Sequence, residues 1–186
     1  EEIVVTASLR PAGIGDFPVS TTVLDAGVLE AAGLQHLQDV LGLVPNLNWS
    51  GGTSRPRYFQ LRGVGELEQY QGAPNPSVGF LIDDIDFSGV GMPATSFDVE
   101  QVEVLRGPQG TRYGANALAG LINVRTRDAR PEQELHAELT AGEDGMLAAG
   151  IVAGGALGAA GPQQGAWRVA VQQSESDGFR HNRYLD

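Results

Sequence analysis

The chain has 186 residues, 12 basic and 23 acidic side chains, and a formal charge of −11. It contains no cysteine and no lysine, all 12 cations are arginine, and 26 residues are glycine, a share well above the usual ~7%. Such acidity excludes a non-specific nucleic-acid binder, which relies on cations neutralising phosphates. The missing cysteine excludes a disulfide scaffold, a zinc-thiolate site and a thiol nucleophile. The missing lysine excludes a Schiff base and a Walker-type phosphate loop.

Three zones follow one another. Residues 1–17 form an extended tail, opening on the β-branched run Ile3-Val4-Val5-Thr6 and passing into Arg10-Pro11-Ala12-Gly13. No charged n-region and apolar h-region of a signal peptide is visible, which fits a processed N-terminus as well as a cytosolic origin. Residues 18–127 have the mixed punctuation of an α+β unit. Pro18 to Leu24 reads as a strand, and Asp25 as the cap of a short helix through Leu29 to Ala32. Leu34, Leu37, Leu41 and Val44 fall at helical spacing, with Pro45 as the stop. Tyr58 to Gly63, Val78 to Asp83, Val99 to Leu105 and Leu121 to Thr126 read as strands, and the Gly-, Pro- and Ser-rich stretches Asn48 to Pro56 and Gly65 to Ser77 as long loops.

Residues 128–186 change texture. Glu134 to Ala141 and Ala166 to Gln172 alternate polar and apolar at period two, around an uncharged run from Met146 to Gly161. Three such segments separated by turns are the signature of transmembrane β-barrel strands. The run also holds two G-x-x-x-G spacings, at Gly150, Gly154 and Gly158, that can mark helix pairing. It is short of the ~20 residues of a spanning helix, so strands are the expectation. The chain stops at Arg183-Tyr184-Leu185-Asp186 within a polar stretch, which reads as a truncated barrel of about three strands.

The segment from Phe97 through Val104-Leu105-Arg106-Gly107-Pro108-Gln109-Gly110 and Tyr113-Gly114-Ala115 to Val124 resembles the signature of the plug domain of TonB-dependent outer-membrane receptors, siderophore-receptor type. Further segments agree in order. Ile3, Val4, Val5, Thr6 and Ala7 look like a TonB box, Leu43-Val44-Pro45-Asn46-Leu47 like the end of a plug helix, and Leu61-Arg62-Gly63 like the I-R-G strand. Val78 to Asp86 is similar to a further plug strand, with Asp83-Asp84 at the turn where the family has Asp-Gly, and Trp167-Arg168 and Ser176 to Asn182 resemble the first barrel strands and a loop. The fold this implies is an α+β plug with a small mixed β-sheet and short helices, followed by the first antiparallel strands of a truncated transmembrane barrel of about 22 strands.

The resemblance implies active import of a scarce ligand, a ferric siderophore first, across the bacterial outer membrane. The barrel would contact lipid, the plug would sit in the lumen, and the N-terminus would face the periplasm. Residues 3–7 would add as a strand to the sheet edge of TonB, with ExbB–ExbD behind it; the plainer alternative is a first strand of the plug sheet. Arg62 and Arg106 would lock the plug to barrel-wall glutamates, the alternative being internal pairing with Glu100 or Glu103. The apical loops would bring Trp49, Arg55, Arg57, Tyr70 and Phe87 to an extracellular ligand, although loop arginines can equally be only solvated. Gly107, Pro108, Gly110 and Gly114 would shape a sharp structural turn, the glycines through positive φ or close backbone approach. No cofactor and no protein metal ligands are expected. His36, His136 and His181 lack partners at metal spacing, and Asp83, Asp84 and Asp86 do not converge as an acid–base pair would, which argues against an enzyme. The competing readings are an adhesive or binding barrel without transport, and uptake of cobalamin or carbohydrate.

Overall fold

A computed structural model of the chain describes residues 4–6, 12–13, 19–33, 36–51, 55–67, 76–90, 92, 95–113, 116–158 and 164–177. The backbone clusters into two compact units, Glu1–Thr126 and Arg127–Asp186.

The first unit is built on a five-stranded mixed sheet. Its strands are β3 (Ser20–Asp25), β7 (Val78–Ile82), β8 (Ile85–Asp86), β9 (Val99–Arg106) and β10 (Gly120–Thr126), in the order β3-β9-β10-β7-β8. β10 lies antiparallel to β9 and parallel to β7. Two short strands, β1 (Val4–Val5) and β2 (Ala12–Gly13), pair with each other. A smaller antiparallel sheet joins β4 (Leu47–Ser50), β5 (Tyr58–Leu61) and β6 (Val64–Gly65). Helix α1 (Ala26–Ala32) starts where the Asp25 carboxylate accepts the Val28 N–H at 2.9 Å and ends on left-handed Gly33. Helix α2 (Leu37–Gly42) is capped by His36, whose Nδ1 accepts the Gln38 N–H at 3.2 Å. A four-residue helix, α3 (Gly110–Tyr113), precedes β10.

Strand alternation divides the core in two. Val102 and Val104 of β9, Ile122 and Val124 of β10, and Val78 and Phe80 of β7 pack with Leu29, Leu37, Val40 and Leu41 of the helices and with Phe59 and Leu61 of β5. Leu105, Leu121 and Leu81 form a second cluster with Ala117 and Val5. With both faces covered, β10 carries the apolar run Leu121 to Val124 broken by the buried Asn123, while β9 mixes its apolar positions with half-buried Glu100, Gln101 and Arg106 and the fully buried Glu103.

Two expectations are corrected. Asn48 to Ser50 is not loop. It lies in β4, with Asn48, Trp49 and Ser50 opposite Gln60, Phe59 and Tyr58; a short strand with two polar residues in four carries too little apolar pattern to show itself. Pro45 is not what ends α2, because the helix stops at Gly42 with Leu43 as its cap; Leu34, expected on that helix, lies outside the described residues. The Asp83-Asp84 pair is a two-residue hairpin turn between Ile82 and Ile85, with φ of 48° and 65°. Positive φ at both central positions is the geometry of a type I′ turn.

The second unit is an antiparallel meander of β11 (Glu134–Ala141), β12 (Leu147–Leu157) and β13 (Gly165–Glu175). The run around Gly150 and Gly154 is thus strand, not helix. One face carries Leu135, Leu139, Ile151, Trp167, Val169 and Val171, all exposed. The other carries Glu134, His136, Glu138 and Arg168. Glu134 and Arg168 flank Gly154 in register and form an ion pair across its bare backbone. No described helix is long and apolar enough to cross a membrane, which does not bear on strands that do so.

Candidate functional site

The N-terminal segment is docked on the first unit. Val4 and Val5 pair with Gly13 and Ala12. The Val5 side chain is fully buried against Leu81, Leu105, Ala117 and Leu121. Thr6 donates twice to Glu103 Oε1, from its N–H at 2.6 Å and from Oγ1 at 2.8 Å. The same carboxylate accepts from Gln101 Nε2 at 2.6 Å and, on Oε2, from Asn123 Nδ2 at 3.2 Å. Glu103 has no exposure to solvent, and a buried carboxylate is tolerable only when its oxygens are satisfied. Ile3 and Ala7, the ends of the expected coupling segment, lie outside the described residues.

Arg62 and Arg106 come together at the C-terminal end of β9. Arg62 sits at φ 54°, directly after β5, and its Nη2 donates to Ser20 Oγ at 3.0 Å. Ser20 is the register partner of Arg106. The Arg106 Nη2 donates to the Pro45 carbonyl at 3.2 Å. Partial burial and the neighbouring Arg62 cation hold the Arg106 guanidinium below its ordinary value. Among the described residues neither arginine pairs with a carboxylate. The alternative of internal pairing with Glu103 fails because that carboxylate is turned to Thr6, Gln101 and Asn123.

After Arg106 the chain turns at Gly107, which has φ 101° and gives its N–H to the Ala119 carbonyl at 2.9 Å. The Gln109 N–H binds the Ala117 carbonyl at 2.8 Å and closes the turn onto the approach to β10. Of the two expected turn glycines that are described, Gly107 requires the left-handed region and Gly110 does not. Gly110 opens α3, and a Cβ there would meet nothing within 4 Å, so no close approach calls for glycine. Gly114 lies outside the described residues.

The expected apical residues are not equivalent. Trp49 is on β4, packs against the main core, and its ring edge comes within 3.8 Å of a Cβ built on Gly42. Phe87 also packs on that core. Arg57 Nη2 donates to the Gly89 carbonyl at 3.2 Å, while its Nε is buried without a partner. Arg55 is exposed. Tyr70 lies outside the described residues.

Asp83 ties the hairpin turn to β10. Its N–H reaches the Val124 carbonyl at 3.0 Å, and its carboxylate accepts the Thr126 N–H at 3.0 Å and Oγ1 at 2.7 Å. Asp84 pairs with Arg125 at 3.2 Å. Asp86 accepts from the Ser88 N–H and from Asn116 Nδ2, each at 2.8 Å. Partial burial pushes its pKa up, but hydrogen bonds from Ser88 and Asn116 outweigh that and leave the carboxyl below the ordinary aspartate value. These three carboxylates hold turns and do not converge. No group of three metal-ligating side chains occurs among the described residues.

The family model of the TonB-dependent receptor plug domain matches residues 14–121. The chain belongs to this family. The pesticin receptor of Yersinia pestis is 35% identical over 129 residues, 67% of this chain and 18% of its own. The vitamin B12 transporter BtuB of Vibrio vulnificus is 30% identical over 152 residues, 77% of this chain and 23% of its own. Among solved structures, the ferric yersiniabactin uptake receptor FyuA from Yersinia pestis superposes with a TM-score of 0.64 at 27% identity, over 82% of this chain and 24% of that one. The pyoverdine outer membrane receptor FpvA from Pseudomonas aeruginosa gives a TM-score of 0.74 at 22% identity, over 93% of this chain and 24% of that one, a likeness of fold. The chain spans about a fifth of the length of the curated relatives it matches. These relatives are named receptors and transporters, not enzymes.

Within the plug, Glu103 is the site residue that sequence reading undervalued. Its signal was there: one acid inside the run Val102-Glu103-Val104-Leu105. A charge in a strand covered on both faces must have dedicated partners.

Proposed function

We propose that the whole protein is a TonB-dependent transporter of the bacterial outer membrane. The plug unit fills the lumen of a barrel that begins at β11, and the N-terminal segment couples it to TonB and, behind that, ExbB–ExbD. The observation that carries this reading is the junction of a plug-family fold to a strand meander with one exposed apolar face and one face bearing the Glu134–Arg168 pair. Lipid outside and a polar lumen inside demand that alternation.

Arg62 and Arg106 lock the plug to glutamates of the barrel wall. Two neighbouring guanidiniums without a carboxylate partner among the described residues support this, since such a pair is stabilised by acids from outside. The cargo is a ferric siderophore complex, which brings its own iron and needs no protein metal ligands. The structure named as a ferric yersiniabactin uptake receptor, 27% identical, supports that class. Arg55 and Arg57 would attract its negative charge, and Trp49, Tyr70 and Phe87 would flank it. Cobalamin is the second reading, favoured by the 30% identity to a vitamin B12 transporter.

The test is uptake by the full-length protein in cells lacking their own receptors. Radioiron supplied as a panel of ferric siderophores should enter in a TonB-dependent manner and stop with Val5→Pro, since proline removes a ladder donor. Labelled cobalamin is the parallel arm. Unimpaired import by the Val5→Pro protein would overturn the coupling role.

A further inference from the structure

We propose that Glu103 is a positioning residue that holds the N-terminal segment in a resting state where no partner strand can pair with it. This rests on the reading of that segment as the TonB-coupling element and assigns the residue that controls its availability.

Glu103 and Thr6 are 97 positions apart, yet one residue supplies two of the donors to the buried carboxylate. The contact is specific in direction, because a backbone N–H and a side-chain hydroxyl converge on the same oxygen. Val5, next in the chain, seals the slot with a fully buried side chain against Leu81, Leu105, Ala117 and Leu121. Strand addition to another protein needs a free row of backbone N–H and C=O groups and a side-chain face to offer. Here one edge of Val4–Val5 is taken by Ala12–Gly13, the Thr6 N–H is taken by Glu103, and the Val5 side chain is inside the plug. Docking and strand addition are therefore mutually exclusive at Val5 and Thr6.

The chemistry also sets which state is at rest. If the segment leaves, the carboxylate loses both Thr6 donors and its apolar cover together. Leaving a buried charge short of donors is costly, so the segment stays docked until something outside the slot removes it. An apolar residue at position 103 would remove the selective grip on Thr6 while leaving Val5 its slot.

Amide exchange on the full-length receptor in lipid discs, without ligand, tests this. Wild type, Thr6→Val and Glu103→Gln are compared over the peptide covering Val4–Thr6 and over β10. Thr6→Val keeps shape and N–H but removes the Oγ1 donor; Glu103→Gln removes the charge. Both should speed exchange at Val4–Thr6 by about tenfold, the scale of one hydrogen bond to a charged group, with β10 unchanged. If Glu103→Gln also loosens β10, Thr6→Val alone decides. Unchanged exchange at Val4–Thr6 in Thr6→Val overturns the proposal. Purified TonB periplasmic domain is the second readout, and both variants should bind it about tenfold more tightly without ligand. Faster exchange with unaltered TonB binding leaves the Glu103 contact standing and overturns the coupling reading instead.

Discussion

Replacing each half of the Asp83-Asp84 turn separately should give opposite results. Asp83→Ala removes two hydrogen bonds to Thr126 and leaves alanine at φ 48°. The bonds contribute about 0.5–1.5 kcal/mol each at a partly buried site, and left-handed backbone costs a residue with a plain Cβ roughly 1–2 kcal/mol. The sum is a loss of about 2–5 kcal/mol. Asp84→Gly loses one exposed pair with Arg125, worth about 0–1 kcal/mol, and relieves φ 65° at a similar scale. Its net effect should stay within about 1 kcal/mol of zero. Trp49 is the sole tryptophan of residues 1–126 and packs on the core, so its fluorescence reports urea unfolding of that unit. With a urea slope of about 2 kcal/mol per molar, Asp83→Ala should lower the midpoint by about 1–2.5 M, and Asp84→Gly by less than about 0.5 M. Equal shifts in the two variants would refute the assignment of Asp83 as the tie to β10.

Gly79→Ala should destabilise the same unit by about 1–3 kcal/mol, because its Cβ would lie 2.5 Å from the Asn116 carbonyl oxygen and 2.8 Å from Leu121 Cδ1; a neutral or stabilising change in the same titration counts against that close approach. Asp86→Asn should be less stable than wild type at pH 7. Since the folded carboxyl titrates below the ordinary 3.8, its contribution is present above that value and lost as pH falls through the folded one, so the gap between the two proteins should close in acid. A gap of constant size from pH 7 to pH 3 would remove Asp86 as the cause. Trp49→Ala should lower stability by about 2–4 kcal/mol as well as any ligand affinity, and a variant that loses affinity at full stability would make Trp49 a ligand contact alone.

Most of the elements were legible because their signals are local. Val99 to Arg106 and Gly120 to Thr126 are segments of strand length rich in β-branched residues, and Glu134 to Ala141 alternates without a break. Family membership was equally legible, carried by several motifs in order along the chain. What was hidden depends on residues brought together from afar. β4 is a strand because Phe59 and its neighbours lie alongside, not because Asn48 and Ser50 favour extension. The burial of Glu103 depends on Thr6, and no spacing rule links positions so distant. The left-handed Asp83 and Asp84 stood where glycine is usual, and their carboxylates explain why aspartate serves: each reaches β10, which glycine could not.

The place of β10 in the sheet has a bearing on how the chain assembles. It is the last strand of the first unit along the sequence, yet it sits between β9 and β7. Until it is inserted, β7 and β8 have nothing to join, and the cluster that receives Val5 lacks Leu121. The first residues of the chain thus find their seat only after residue 121 has taken its own. Pairings across such sequence distances close slowly. The seat of Val5 is complete only in the assembled sheet. Because β1 pairs with β2 and not within the five-stranded sheet, its departure would break no ladder of that sheet.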